Sequence, residues 1–327
     1  MRLKLFAATF VSALVTVWAS QVSAETRLRL LSSFDNLNPS VLSADAFIAS
    51  VAARSGGEYR ISRTGPEAVP VGEQLEPTSS GVFDLLFTNG AFHAGRTGVG
   101  MVIDSLKTDL ELRYSSGLVE YLDNYYQKAH GVKLIALSSG SAYQFLLRDP
   151  VAADGGLKGR KIRSLPQYGK LIEALGGVPV TLAPTQMYSS LEKGVIDGVG
   201  FPQTAATQYK LQEVIKYIAE PTFGATHIMI LMNLRKWNAL PPDVQKMFLE
   251  EGRTWATLYT RYNFWISNVD VAKLRQAGIK TTSFSPENAN KVRTTYNDGL
   301  WEAATRVSGD VVRDFRKFVE AKNLLNQ

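Results

Sequence analysis

Leu157 to Pro202, LKGRKIRSLPQYGKLIEALGGVPVTLAPTQMYSSLEKGVIDGVGFP, decides the fold. A basic strand delivers Arg163, and the helix after it stops at Gly176-Gly177. A second helix stops at Gly194, with the strand Val195-Ile196-Asp197 directly behind it. Glycine accepts the left-handed backbone that ends a helix, so both stops are written locally. Strand and helix alternating this closely is the pattern of an α/β layer structure. Arg163 carries a planar, permanently charged fork that suits two-point capture of a carboxylate.

The same alternation extends toward the N-terminus. Arg27 to Leu31 reads as a first strand, and Val41 to Arg54 as an amphipathic helix with Phe47, Ile48 and Val51 on one face. Gly56-Gly57 closes it, and Tyr59 to Ser62 alternates like a short strand. A helix around Glu73 to Ser80 is followed by the apolar run Val82 to Phe87, as a buried strand requires. Gly81-Val-Phe-Asp84 matches Gly194-Val-Ile-Asp197, each after a short helix with a Leu-Glu pair. The repeat points to two similarly built lobes, or to chance, since helix-Gly-strand is common.

Toward the C-terminus, Trp237-Asn-Ala-Leu-Pro-Pro-Asp243 is a helix start, with prolines where amide hydrogens lack partners anyway. No proline follows before Gln276, and the sole glycine before that point is Gly252. That glycine costs about 1 kcal/mol in a helix relative to alanine. One long helix, able to join two lobes, is expected there. Further helices are expected from Pro286 onward.

Met1-Arg-Leu-Lys4, an apolar stretch from Leu5 to Trp18, and Val22-Ser-Ala24 make a secretory leader, with Glu25 as the first mature residue. The apolar run is short of the roughly 20 residues a bilayer needs. An exported, periplasmic protein is therefore expected. The chain has no cysteine, which excludes disulfides, thiolate metal sites, a cysteine nucleophile and a lipidated cysteine. Its formal charge of +6 falls to +4 without Arg2 and Lys4, and the excess is spread without a basic run. Nucleic-acid binding is disfavoured; attraction for small anions is not.

Taken in order, these motifs resemble the extracytoplasmic solute receptors of TRAP transporters, the DctP-like periplasmic binding proteins. The likeness includes SGGE at Ser55 to Glu58, EQLE at Glu73 to Glu76 and LKGRKIR at Leu157 to Arg163. LGGVPV at Leu175 to Val180, MYSSLEKGVIDG at Met187 to Gly198 and W-x-x-L-P at Trp237 to Pro241 complete it. The resemblance implies a two-lobed α/β fold with a long helix spanning both lobes. The lobes are expected as 25–141 with 229–268, and 142–228 with 269–327, after a leader over 1–24. It further implies capture of a small-molecule organic acid, delivery to the membrane permease subunits of a TRAP transporter, no cofactor and no catalysis.

In that family the arginine of the KIR motif pairs with the ligand carboxylate, and Arg163 holds this place. Sialic-acid-binding relatives carry an asparagine where this chain has Phe201, and a second arginine near Ala142-Tyr143. Losing a polar hook and a cation implies a monocarboxylate with an aromatic or apolar body; a C4-dicarboxylate is the alternative. Phe201 then packs on the ligand or belongs to the core. Strand ends supply the other candidates, because open α/β sheets bind there. They are Phe34, Asn36, Asn89, Phe92, His93, Tyr143 and His227. Asn89 donates to a ligand oxygen or caps a turn. Glu73 accepts from a ligand hydroxyl or is a helix-face acid.

Enzyme marks are missing from the sequence: it has no HExxH, no G-x-S-x-G and no Walker A loop. His93, His130 and His227 lack metal-ligand spacing. A sensor ectodomain of this fold and a receptor for an ABC-type importer are the remaining rivals. A long uninterrupted helix after Pro242 favours the TRAP reading over the latter.

Overall fold

The structure, a computed structural model, describes residues 25–326; the expected leader lies outside the described residues. In the first part of the chain the strands are β1 (Thr26–Ser32), β2 (Tyr59–Thr64), β3 (Leu85–Thr88) and β4 (Val132–Leu137). There follow β5 (Tyr143–Leu147), β6 (Lys161–Ser164), β7 (Val178–Thr181), β8 (Gly198–Pro202) and β9 (Tyr217–Phe223). The last two are β10 (Met229–Asn233) and β11 (Lys280–Ser283). They form a five-stranded sheet ordered β2-β1-β3-β10-β4 and a six-stranded sheet ordered β11-β9-β5-β8-β6-β7. Both sheets are mixed: β1 runs parallel to β2 and β3, β10 antiparallel to β3 and β4, and β5 antiparallel to β8 and β9.

The chain passes between the sheets at residues 138–142 and 224–228, and again along a helix over Pro242–Gln276. This helix has the bounds its start signal and missing prolines predict. Leu28, Leu30, Phe87 and Ile230 seal one face of the first sheet against Phe248 and Trp255 of the long helix. Leu146, Ile196, Val199 and Ile218 seal one face of the second, with Leu274. The remaining faces share one core, in which Leu86 and Leu231 join Phe145, Phe223, Tyr296 and Phe315. Tyr296 and Phe315 belong to the C-terminal helix Pro286–Ala321, bent at Gly309, which thereby holds elements of both sheets.

The internal repeat is a repeated hydrogen-bond device. Asp84 donates its amide to Arg29 O at 2.9 Å, and its Oδ2 accepts from Arg29 N at 2.7 Å. Asp197 donates its amide to Lys161 O at 2.7 Å, and its Oδ2 accepts from Lys161 N at 2.8 Å. Gly81 (φ 90°) and Gly194 (φ 69°) make the left-handed turns before them. The expected strands at Val82 and Val195 start later, at Leu85 and Gly198, because each aspartate clips the neighbouring parallel strand. Val82 and Val195 are left half-exposed beyond the sheet edge.

Gly252 has a role its helix propensity hides. A Cβ there would lie 2.6 Å from Ile135 O and 3.0 Å from Ile135 Cγ2, both on β4. The long helix lies this close to the sheet because residue 252 has no side chain. Gly252→Ala gains about 1 kcal/mol of helix propensity. Overpacking against backbone costs about 1–3 kcal/mol, here toward the upper end. A net loss of about 1–2 kcal/mol is expected, read as a lower denaturant midpoint at unchanged slope.

Candidate functional site

Between the two sheets lies a cavity of about 640 Å³, within the range of small-molecule sites. Ser33, Phe34 and Asp35 after β1, with Asn89 and Phe92 after β3, form one wall. Arg163 of β6, Phe201 of β8, and Thr204 and Tyr209 beyond β8 form the other. Tyr143, Thr226 and His227 line the back, where the chain passes between sheets. Tyr259 and Asn263, one turn apart on the long helix, complete it; Asn263 Nδ2 donates to Tyr259 Oη at 2.9 Å.

Arg163 is 1% exposed overall and held on two of its three nitrogens. Nε donates to Leu182 O, and Nη1 donates to Tyr168 Oη and Gly200 O, each at 3.1 Å. Tyr168 Oη in turn donates to Gly200 O at 2.9 Å. The guanidinium carbon stands 5.7 Å from the Phe201 ring centroid, a cation–π distance. Among the described residues Nη2 has no hydrogen-bond partner, and no carboxylate pairs with this cation. Two N–H groups of a rigidly held fork are thus free for a cavity occupant.

Behind the back wall sits Asp104, fully buried. Its Oδ2 accepts from Tyr143 Oη at 2.7 Å, and its Oδ1 accepts from His227 Nδ1 at 2.6 Å. Ala225 N donates to Asp104 O at 2.9 Å. His227 Nε2 accepts from Gly90 N at 3.0 Å, so the ring is the neutral tautomer with its proton on Nδ1. Burial lowers the pKa of His227 despite the opposing pull of Asp104, consistent with a neutral ring. Burial, then Asp104, pushes the Tyr143 phenol well above its ordinary value. Nearby Arg113, also fully buried, donates to the backbone oxygens of Lys107, Ser138 and Leu106. Its pKa is lowered by burial to about 10, so it stays charged at neutral pH.

Of the residues singled out from the sequence, the structure brings Arg163, Phe201, Tyr143, Asn89, Phe92, Phe34 and His227 to this one cavity. Asn89 is fully used within the protein: Oδ1 caps Ala91 N, and Nδ2 donates to His227 O at 2.8 Å. Phe201 lies against the cavity and packs edge-on to Tyr209 at 5.7 Å, so it serves core and wall together. Three residues lie outside the lining. Asn36 is exposed and accepts from Arg63 Nη1 at 3.1 Å. Glu73 points to solvent from the 3-10 turn Val71–Glu73; its neighbour Gln74 is the buried one, donating to Val69 O at 3.0 Å. His93 is buried at 2.9 Å from Thr88 Oγ1, and burial lowers its pKa to about 4.

Sequence reasoning missed Asp35, Tyr209, Tyr259 and Asn263. The last two carry a usable signal, being polar side chains at helical spacing on an inward face. Asp35 stands between two named candidates and shares the cavity wall with Phe34, while Asn36 lies outside it. Tyr209 lies in a loop with no pattern around it. Among the described residues no group of His, Cys, Asp or Glu is arranged to hold a metal, and no helix is long and apolar enough to cross a membrane.

Residues 35–305 match the profile of the DctP family, bacterial extracellular solute-binding protein family 7. The chain belongs to that family. Family and fold are those of an extracytoplasmic solute-binding receptor, not of an enzyme. A solute-binding protein of Sulfitobacter sp. strain NAS-14.1 is 26% identical over 180 residues, 54% of each chain. The chain spans about half the length of the first curated relatives it matches. A monocarboxylate 2-oxoacid-binding periplasmic protein of Nostoc sp. strain PCC 7120 is 22% identical over 98% of this chain and 94% of its own. A TRAP periplasmic solute-binding protein of Desulfovibrio salexigens, solved with bound orotic acid, superimposes with a TM-score of 0.80. It is 19% identical and covers 90% of this DctP-family chain and 98% of its own, a likeness of fold.

Proposed function

We propose that this receptor captures a monocarboxylate with an aromatic or apolar body and delivers it to the permease subunits of a TRAP transporter. Arg163 pairs with the carboxylate, and rings of Phe34, Phe92, Phe201 and Tyr143 flank the apolar body. The carrying observation is Arg163 itself, a buried cation that no acid pairs with among the described residues and whose Nη2 is free. A buried charge without a counter-ion is costly, and a ligand carboxylate supplies one. Benzoylformate and coumarate have this chemistry. The Nostoc relative is named for monocarboxylate 2-oxoacids, and orotic acid in the Desulfovibrio salexigens structure is a flat ring acid.

Closure follows the lobes taken as 25–141 with 229–268 and 142–228 with 269–327. Ligand bridging both walls removes its carboxylate from water, and bending falls to 138–142 and 224–228. Binding to the folded state alone stabilises by RT ln(1 + [L]/Kd), about 2.7 kcal/mol at a hundredfold excess over Kd. A thermal-shift panel of benzoylformate, coumarate, succinate and malate tests the reading. A raised melting temperature with the aromatic acids is expected. A rise with succinate or malate alone would falsify the monocarboxylate assignment; no rise with any acid removes the carboxylate reading itself.

A further inference from the structure

We propose that Asp35 sets the charge of the ligand: it repels a second anionic group and receives a hydroxyl or N–H donor instead. The inference rests on Arg163 being the carboxylate anchor. Among the described lining residues Arg163 is the sole side-chain cation, since the His227 ring is neutral. Asp35 and Glu67 are the lining acids, and Glu67 is exposed with Oε1 accepting from Gly65 N at 3.1 Å. Once a ligand carboxylate has taken Arg163, no cation of the wall remains for another.

Asp35 is fixed where it meets the ligand. Tyr209, 6% exposed and on the opposite wall, places its hydroxyl 2.9 Å from Oδ2 and 3.1 Å from Oδ1. Asp35 Oδ1 also accepts from Leu37 N at 2.9 Å, which orients the carboxylate from its own loop. The Tyr209 ring meets Phe201 edge-on, and Phe201 lies under the Arg163 guanidinium. Anchor, apolar ring and acid therefore follow one another along the cavity. A carboxylate carries four lone-pair sites, and those left by Tyr209 and Leu37 accept a donor from the ligand. Two carboxylates roughly 6–8 Å apart at an effective dielectric near 20 repel by roughly 30- to 100-fold in affinity.

The test measures wild type, Asp35→Asn, Tyr209→Phe and Arg163→Met by calorimetry with benzoylformate and its 4-carboxy derivative. Asp35→Asn keeps one oxygen to accept from Tyr209 and Leu37, removes the charge, and puts a donating NH2 in place of the other oxygen. Wild type is expected to prefer the monoanion. Asp35→Asn is expected to bind the dianion at least about tenfold more tightly and to gain less with the monoanion, whose single charge lies farther off at Arg163, so the preference for the monoanion narrows. Tyr209→Phe is expected to weaken both probes alike. An unchanged ratio in Asp35→Asn, or wild type binding the dianion as tightly as the monoanion, overturns the role of Asp35. So does the same ratio shift in Tyr209→Phe, because geometry rather than charge would then select. Arg163→Met reports on the anchor separately: loss of both probes upholds it whatever Asp35 does, and unchanged binding removes it. Wild type binding neither probe overturns both.

Discussion

Arg163→Met is expected to weaken binding of a carboxylate ligand by about 2–5 kcal/mol, the range for truncating one partner of a buried charge pair. That is between ~30-fold and several-thousand-fold in Kd. Methionine fills much of the stem volume, and the variant leaves no buried cation behind, so the fold is expected to survive. Arg163→Lys is expected to recover little. Lysine brings a point charge without the fork and cannot reach Leu182 O, Tyr168 Oη and Gly200 O while presenting a free edge. Calorimetry with whichever acid shifts the melting temperature checks this. Binding by Arg163→Met within about threefold of wild type would show the cation to be structural only.

Asp104→Ala is expected to cost about 3–5 kcal/mol of folding stability, measured as a lowered denaturant midpoint. The loss has several sources. Tyr143 Oη and His227 Nδ1 each lose a buried acceptor, at about 1–3 kcal/mol apiece before relaxation. Arg113 stays charged and buried without the anion that offsets it. Asp104→Asn is expected to be milder, since one carbonyl oxygen remains to accept. Ligand affinity is expected to fall in both variants, because Tyr143 and His227 are cavity walls oriented by this carboxylate. A midpoint unchanged in Asp104→Ala would mean the network contributes nothing net.

The fold was legible where single residues force the backbone. Gly81 and Gly194 announce their turns, and Pro241-Pro242 announces the long helix to the residue. Arg163 was singled out through the KIR motif of the family this chain resembles; the structure puts it on the cavity wall, and its pairing with a carboxylate is the proposal made above. The residue before each buried strand was harder. GVFD and GVID look apolar enough to be strand throughout, and only the hydrogen bonds to Arg29 and Lys161 show that their aspartates work across strands. Glu73 and Gln74 differ by about 120° around the axis of a 3-10 turn, and sequence alone favoured the charged one. Gln74 is the one turned inward. Asp35 and Tyr209 acquire meaning only from each other. They are 174 positions apart and on opposite walls, a pairing no local pattern encodes.

The twin aspartate clips have a mechanical consequence. Each locks the start of a central strand to its parallel neighbour through both backbone and side chain, so the plates of this molecule resist shear at the places where their edges would otherwise fray. The closure proposed above leaves compliance to the connectors at 138–142 and 224–228; Asp104 grips Ala225 and His227 on the second, and Tyr143 at the strand end where the first runs into β5. In that closure, a guest that tilts the Tyr143 or His227 wall would pull on the one aspartate that ties both crossings together.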